Sequence, residues 1–192
     1  MSARDTTLEE LCRRLKVSDA TAFEQVFRLL RTGLVRYVRA LINDDVVAHD
    51  LVQDIFVYLW DLRETLDPSQ SLKAYLYRMA RNRAYRFMRD ERAHAEKHAI
   101  LKRTSSAHRP ASEGPDAQVD IEALTERLRG WISELPERQR EALVLSRFHQ
   151  LSHREIASVM GVSPRTVNNH IMRALEHLQG RIQIFEPTLI EP

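Results

Sequence analysis

The chain has 192 residues, a formal net charge of only +2 and a single cysteine, Cys12. One cysteine excludes an internal disulfide and a thiolate metal site, and five glycines with seven prolines argue against a turn-rich β protein. No alternating stretch is long enough to predict a strand, so we expect an all-α protein. The N-terminus carries Arg4, Asp5, Glu9 and Glu10 rather than a signal pattern, and no apolar run approaches a membrane span, which favours a cytoplasmic protein with no membrane insertion.

The first predicted helix begins near Ser18, which would be its N-cap. Its apolar residues recur with the 3.6-residue helical period at Phe23, Val26, Phe27, Leu30, Leu34, Tyr37, Val38 and Leu41. Gly33 lies within this helix and is expected to loosen its middle. Asn43 and Asp44 provide a short break and a cap before the next helix.

The second predicted helix is acidic on its outer face. Its inward residues are Val47, Leu51, Ile55, Phe56 and Leu59. Its outward residues are Asp50, Gln53, Asp54 and Val57. Residues 41–70 contain seven acidic side chains against Arg63 alone. Such a segment would repel DNA, so we expect it to face a basic protein partner.

The third predicted helix is basic. Residues 60–71 are predicted to form a loop, after which Ser71 or Ser69 caps a helix that buries Leu72, Leu76, Met79, Ala80 and Phe87. Residues 73–103 contain ten Lys or Arg against three acids, with Tyr75, Tyr77, Tyr85 and Phe87 between them. Because cations hold phosphates and aromatic rings stack on unpaired bases, this pattern favours a nucleic-acid strand. The three helices are predicted to form one bundle.

The composition changes near Thr104, where periodicity is lost and small or helix-breaking residues dominate. We therefore predict an N-terminal helical domain over 1–103, a flexible linker over 104–118, a second helical domain over 119–185 and a frayed tail over 186–192. The second domain begins with an apolar face of Ile121, Leu124, Leu128 and Trp131, followed by a helix over 137–148.

Residues 151–175 predict a helix-turn-helix. Gly161 supplies the positive φ that ends its first helix, Ser163 caps the second, and Pro164 suits the first helical position. The second helix buries Val167, Ile171, Ala174 and Leu175, and its outer faces carry Arg165, Thr166, Asn168, Asn169 and Arg173. Such side chains near the start of a second helix suit major-groove reading. The alternative is an ordinary helical hairpin with a solvated polar face.

Other site chemistry is not indicated. No nucleophile–base pair or Gly-rich phosphate loop occurs, so we expect no catalytic site and no cofactor. Four histidines lack a carboxylate or cysteine set, so no metal site is expected: His149, His153, His170 and His177. Two neighbouring arginines would lower the pKa of Cys12, whereas burial would leave it an inert thiol.

Four segments in this order resemble bacterial sigma factors of the extracytoplasmic-function type. They are residues 50–60 (DLVQDIFVYLW), 72–82 (LKAYLYRMARN), 135–141 (LPERQRE) and the helix-turn-helix. The resemblance implies that the acidic helix docks on core RNA polymerase. It implies that the basic helix and the loop before it open and hold the minus-ten element of promoter DNA, and that the second domain reads the minus-thirty-five element. An anti-sigma factor is a further implied partner.

The resemblance assigns roles to particular residues. Polymerase docking falls to Asp50, Leu51, Gln53, Asp54 and Phe56, with core packing as the alternative for Phe56. Minus-ten contacts fall to Arg63, Tyr75, Tyr77, Arg78, Arg81, Asn82, Arg86 and Arg89, with packing as the alternative for Tyr75. Minus-thirty-five contacts fall to Arg165, Thr166, Asn168, Asn169 and Arg173. The loop over 63–71 would capture a flipped base, although it lacks the aromatic-Arg-Gly stretch of many relatives.

Three functions follow from these patterns. The first is a dissociable initiation subunit of RNA polymerase that selects and opens promoters. The second is a free-standing regulator that binds duplex DNA through the helix-turn-helix and needs neither the acidic nor the basic helix. The third is an adaptor that holds polymerase without melting DNA.

Overall fold

A computed structural model gives the architecture and describes residues 3–101 and 121–185. Over these residues the chain is helical and contains no strand, which confirms the all-α prediction. The helices are α1 Ala3–Lys16, α2 Ala20–Ile42, α3 Asp45–Asp61, a 3-10 helix Arg63–Thr65, α4 Leu72–Leu101, α5 Ile121–Glu134, α6 Glu137–Arg147, α7 His153–Met160 and α8 Pro164–Phe185. No helix in the described ranges has the length and apolarity to cross a membrane. The predicted linker over 104–118 and tail over 186–192 lie outside the described residues.

Helix α1 is the main departure from the predicted order of helices. The first helix was predicted to begin near Ser18, but Ser18 lies in the turn between α1 and α2 with a φ of 64°. The N-cap of α2 is Asp19, which accepts hydrogen bonds from the backbone N–H groups of Thr21 and Ala22 at 2.8 and 3.2 Å. In its described part α1 buries only Leu11, Cys12 and Leu15, too few residues to give a clear periodic signal.

The break between α2 and α3 forms as predicted. Asn43 ends α2 in the left-handed region with a φ of 55°, and Asp44 caps α3 by accepting from the backbone N–H of Val47 at 3.0 Å. The buried stripe of α3 consists of Ala48, Val52, Ile55, Phe56 and Leu59. Val47 and Leu51, which were predicted to point inward, are only half-buried, and Leu51 packs against the core from the edge of this stripe.

The segment between α3 and α4 is more ordered than the predicted loop. Trp60 still belongs to α3, and a 3-10 turn follows. Asp67 then accepts hydrogen bonds from the backbone N–H and the hydroxyl of Ser69 at 3.0 and 2.7 Å. Ser71 rather than Ser69 caps α4, since its hydroxyl oxygen accepts from the backbone N–H of Ala74 at 3.1 Å.

The helix-turn-helix of α7 and α8 has the predicted local structure. Gly161 ends α7 with a φ of 67°, a conformation that L side chains rarely adopt. Ser163 caps α8 by accepting from the backbone N–H of Thr166 at 3.1 Å, and Pro164 is the first residue of α8. Short-range sequence signals therefore determine this motif.

Helices α1–α4, the N-half, pack directly against helices α5–α8, the C-half. A single apolar core extends from Leu11 in α1 to Ile171 in α8, and α4 packs along α7. A second, smaller core belongs to the C-half alone and contains Trp131, Leu135, Leu143, Ala174 and Leu178. The prediction of two helical domains did not include this direct contact between them.

Five polar or aromatic side chains meet inside that contact, and we call them the interdomain cluster: Tyr37, Tyr77, Arg81, Glu141 and His149. Glu141 accepts hydrogen bonds from the Tyr37 hydroxyl at 2.8 Å and from Arg81 Nε at 2.7 Å. The Tyr77 hydroxyl and His149 Nδ1 are 2.9 Å apart. All five side chains therefore have a polar partner across the junction between the halves.

Gly33 of α2 allows this packing. A Cβ at position 33 would lie 2.7 Å from the Tyr77 hydroxyl, which is too close for real atoms. Because Tyr77 is buried beside His149, it has little room to retreat. The glycine therefore accommodates the Tyr77 hydroxyl, whereas the sequence suggested only a loosened helix.

The Arg81–Glu141 pair is buried, with Arg81 only 12% exposed and Glu141 1% exposed at the side chain. Burial lowers the pKa of Arg81, but the hydrogen bond and charge of Glu141 outweigh it and raise that pKa overall. Burial and then the charge of Glu141 raise the pKa of Tyr37 well above its usual value. Removing one member of such a pair costs about 3–5 kcal/mol, since the other charge stays buried alone.

His149 makes the stability of this arrangement depend on pH. Burial first, and then the charges of Lys73 and Arg36, lower its pKa to about 4. The unfolded chain takes up a proton near pH 6.5, so the stabilisation is fully present above that pH and is lost as the pH falls toward 4. Between pH 7 and pH 5 we expect the free energy of unfolding to fall by about 2 kcal/mol more in the wild type than in His149→Gln.

Urea denaturation at the two pH values measures this difference. The matched control is His153→Gln, which removes an exposed histidine from the same half and should keep the wild-type pH dependence. Equal losses of stability in wild type and His149→Gln would contradict the assignment.

Candidate nucleic-acid interface

One face of α3 is exposed and acidic. Asp50, Gln53, Asp54 and Val57 all face solvent, as predicted. The side chain of Asp54 is 65% exposed and forms an ion pair with Arg83 of α4 at 3.2 Å. An exposed pair of this kind contributes at most about 1 kcal/mol, so Asp54 remains available to a partner.

The same face also presents apolar groups that the sequence reasoning did not single out. Val46, near the start of α3, is 71% exposed. Tyr58, next to Val57 near the end of the helix, is 48% exposed. Since these residues follow the spacing of Asp50 and Asp54, α3 presents a mixed acidic and apolar surface. Exposed apolar groups among charges are typical of a protein-binding surface.

The other two predicted docking residues are part of the packing. Phe56 is 2% exposed, and its ring lies edge-to-face against that of Phe27 with centroids 4.8 Å apart. Leu51 is half-buried against the core. Phe56 therefore packs in the core, which was the alternative to its role in polymerase docking. In this conformation it offers no surface to a partner.

Helix α4 exposes a continuous polar row formed by Arg78, Asn82, Arg86 and Arg89. Spacings of four, four and three residues place these side chains on one side of the helix. Asn82 and Arg86 both line the two shallow grooves that run along this part of α4. The row offers donors and positive charge along about three helical turns.

Two of the predicted minus-ten contacts, Arg63 in the 3-10 helix and Tyr75 in the first turn of α4, interact with neighbouring side chains. Tyr75 is half-buried, and the Arg78 guanidinium lies 5.6 Å from its ring centroid. Arg63 stacks on the Trp60 ring at 4.5 Å and donates to the Ser18 hydroxyl at 2.8 Å. Arg63 therefore joins the 3-10 helix to the turn between α1 and α2.

Two further residues predicted to contact the minus-ten element, Tyr77 and Arg81, point into the C-half. They belong to the interdomain cluster, and Tyr77 is 2% exposed. Tyr85, one turn beyond Arg81, donates its hydroxyl to Glu137 of α6 at 2.7 Å. The partners Glu137, Glu141 and His149 were missed as site residues, since no local pattern identifies partners that lie so far along the chain.

A small cavity of about 160 Å³ adjoins the loop over 63–71. Polar and aromatic side chains from the loop and from the start of α4 line it, including Asp67, Gln70, Tyr75 and Arg78. Cys12 also lines this cavity and is itself buried. Burial and then the charge of Asp67 raise the pKa of this thiol, so the neighbouring arginines do not activate it.

The polar face of α8 that was predicted to read DNA is exposed. Arg165, Asn168, Asn169 and Arg173 are exposed on it. Thr166 is half-buried, and its hydroxyl shares a hydrogen bond of 2.8 Å with that of Ser163, so it also serves the cap. Met172 is exposed on the same face between Asn169 and Arg173, a position that sequence reasoning left out. Among the described residues, no group of three or more His, Cys, Asp or Glu could hold a metal ion.

Two family models match the chain. Sigma-70 region 2 matches residues 26–94, which contain the exposed faces of α3 and α4. Sigma-70, region 4 matches residues 125–178, which contain the helix-turn-helix. Together the two models cover more than half of the chain.

Several relatives span nearly the same length. The ECF RNA polymerase sigma factor SigM of Bacillus subtilis is 26% identical over 157 residues, which are 82% of this chain and 93% of SigM. The RNA polymerase sigma-E factor of Streptomyces coelicolor is 28% identical over 86% of this chain and 89% of its own.

Solved structures agree in fold. The sigma factor RpoE of Bartonella quintana, in complex with the anti-sigma factor NepR, matches with a TM-score of 0.64 and 25% identity over 85% of this chain and 98% of the other. CnrH in complex with the cytosolic domain of CnrY matches with a TM-score of 0.66 and 21% identity over 94% of this chain and 99% of the other.

These relatives are sigma factors, which supports the first of the three predicted functions over a free-standing regulator. Both family models fall on the segments whose sequence suggested the same family. The chain belongs to the sigma-70 family and is a sigma factor of the extracytoplasmic-function type.

Proposed function

We propose that this protein binds core RNA polymerase and directs it to promoters, which it then helps to open. The observation that carries the proposal is the pair of exposed faces on neighbouring helices of one unit, acidic and apolar on α3 and cationic on α4. One face suits a basic protein and the other suits a DNA strand. A regulator that acts through its helix-turn-helix alone needs neither face.

The α3 face is the proposed polymerase surface. Asp50, Gln53 and Asp54 would meet a basic region of the polymerase, while Val46 and Val57 bury apolar area beside them. Leu51 and Phe56 would contribute indirectly, because they pack against the core and so hold α3 in position.

The α4 face is the proposed minus-ten surface. Its exposed row of Arg78, Asn82, Arg86 and Arg89 would hold the backbone of the unpaired strand. The cavity beside the loop over 63–71 would take a flipped base, with Asp67 and Gln70 offering acceptors and donors to its edge.

The exposed face of α8 is the proposed minus-thirty-five reader. Arg165 and Asn169 lie near the start of the helix, where side chains reach base edges most directly. Arg173, two turns along, would hold a phosphate. We also propose an anti-sigma factor as a partner, by analogy with the complex of the Bartonella quintana sigma factor with NepR.

Charge reversal on α3 tests the docking surface. Asp54→Arg should abolish co-purification with core polymerase, since it turns an attraction into a repulsion and brings a second cation beside Arg83. Its circular dichroism should stay that of the wild type, because the residue is exposed. The matched control is Glu24→Arg, which reverses an exposed acid paired with Arg28 on α2 and should leave co-purification unchanged. Normal recovery of Asp54→Arg with polymerase would contradict the assignment.

Loss of one exposed cation on α4 tests promoter opening. Arg78→Ala should bind polymerase normally but reduce the permanganate reactivity of unpaired thymines, with a defect that grows as salt increases. Arg28→Ala removes a cation from α2 that is also exposed, and it should open promoters like the wild type. Arg81→Ala is less direct, since it also breaks the buried pair with Glu141. Wild-type reactivity of Arg78→Ala at every salt concentration would refute the minus-ten role of this row.

Substitutions on α8 test promoter reading. Arg165→Ala and Asn169→Ala should each cost about 1–3 kcal/mol of binding and relax the preference at particular upstream bases. Arg173→Ala should weaken all promoters alike, because a phosphate contact carries no sequence information. Transcription from promoter libraries with randomised upstream elements separates the two patterns. An upstream preference that is unchanged in both Arg165→Ala and Asn169→Ala would place the reading face elsewhere.

A further inference from the structure

A cavity of about 560 Å³ lies between the N-half and the C-half. Its walls come from four helices: the end of α2, the second half of α4, the end of α5 and the first turns of α6. The side chains proposed to bind polymerase or DNA lie outside its lining. Pockets that bind small molecules measure about 300–1,000 Å³. The cavity therefore has the size of a small-molecule site and is separate from the proposed macromolecular surfaces.

Three arginines from three different helices line this cavity: Arg92 of α4, Arg129 of α5 and Arg140 of α6. Arg140 is half-buried and donates to the backbone carbonyl of Ser133 at 2.9 Å. Arg129 pairs with Glu126 on the surface, where such a pair contributes at most about 1 kcal/mol. Since a guanidinium has five N–H donors, these contacts leave most of the donors available to an anion.

Two carboxylates also line the cavity, and both already accept hydrogen bonds. Glu141 accepts from Tyr37 and from Arg81, and Glu137 accepts from the Tyr85 hydroxyl at 2.7 Å. Because Arg81 neutralises Glu141, the described lining has three guanidinium groups against the remaining carboxylate of Glu137. The cavity therefore carries an excess of positive charge, and it attracts anions.

The rest of the lining is largely apolar. Four half-buried side chains form this apolar wall: Leu41, Met88, Ile132 and Val144. Asn43, which follows α2, adds an amide that both donates and accepts hydrogen bonds. A bare phosphate would use the arginines and leave the apolar wall in contact with water. A ligand that joins phosphates to a flat ring would cover both parts of the lining.

We propose that this cavity binds a nucleoside diphosphate or triphosphate, with Arg92, Arg129 and Arg140 on the phosphates and the base against the apolar wall. Three guanidinium groups from three helices suit a chain of phosphates, because each forms its own charge-assisted hydrogen bonds. The proposal goes beyond the transcription role and does not depend on it. Because both halves supply the lining, the bound nucleotide would stabilise the folded chain.

Removal of one cavity arginine tests the phosphate contacts. The full-length free protein is titrated with N-methylanthraniloyl-ADP, and binding is followed by fluorescence anisotropy. Arg140→Ala should weaken binding about tenfold, since it removes a charge-assisted contact with the phosphates. Arg92→Ala and Arg129→Ala should also weaken it. The matched control is Arg138→Ala, which removes an exposed arginine of α6 that lies outside the lining and should bind the probe like the wild type.

Filling the cavity tests its location without changing any charge. Ala40 is an exposed residue of α2 that lines the cavity. Ala40→Trp should abolish binding, because the indole ring would take the space of the nucleotide. The matched control is Thr32→Trp, which places the same ring on an exposed part of α2 outside the lining and should leave binding unchanged. Urea denaturation should give wild-type stability for both variants, since both positions are exposed.

Competition tests the class of ligand. Unlabelled ADP and GDP should displace the probe much more strongly than pyrophosphate or adenosine, because each of these covers only one part of the lining. ADP should also raise the melting temperature of the wild type more than that of Arg140→Ala.

Four outcomes would overturn the proposal. The first is no saturable binding of the probe at millimolar concentration. The second is equal weakening by Arg138→Ala and Arg140→Ala, which would show a diffuse attraction to a basic surface. The third is binding that Arg140→Ala and Ala40→Trp both leave intact, which would place the nucleotide elsewhere. The fourth is displacement by pyrophosphate as strong as that by ADP, which would leave the base without a role.

Discussion

The contact between Arg81 and Glu141 joins the two halves of the chain, and the observed arrangement depends on it. Glu141 has almost no contact with water once the halves meet and Arg81 has little, so each charge requires the other. Tyr37 and the Tyr77–His149 pair complete the polar interior around it. Because these groups pack closely, position 33 of α2 has no room for a side chain and is a glycine. A polar junction of this kind defines one relative position of the halves, which an apolar surface alone does not.

The helices and the helix-turn-helix were predictable because their signals are local. Apolar residues at helical spacing placed α2, α3 and α4, and Gly161, Ser163 and Pro164 placed the turn before α8. Helix α1 escaped prediction because it contributes few buried residues. The contact between the halves was not predicted for a different reason. Tyr37 and Glu141 are 104 residues apart and both are polar, so neither periodicity nor hydrophobicity identifies them as partners.

The candidate surfaces were predictable only in part, and for a related reason. A helical pattern shows which side of α3 or α8 is polar, and the exposed Asp50, Asp54, Arg165 and Asn169 follow it. The pattern does not show whether another part of the chain covers a polar side. Arg78 and Arg81 look equivalent in the sequence, yet one faces solvent and the other is enclosed. Residue type gives the chemistry of a helix face, and long-range packing decides its accessibility.

The cap of α4 shows how the junction limits the sequence at a position that local rules would leave open. Ser71 accepts a hydrogen bond from the backbone N–H of Ala74 and donates its own hydroxyl hydrogen to Glu155. Aspartate caps helices as well as serine does in isolation, but here it would set one carboxylate against another and has no hydrogen to donate. A cap at this position must therefore accept one hydrogen bond and donate another, which the serine hydroxyl does and an aspartate cannot do. The choice of cap at the start of one helix is thus dictated by a helix-turn-helix more than eighty residues away.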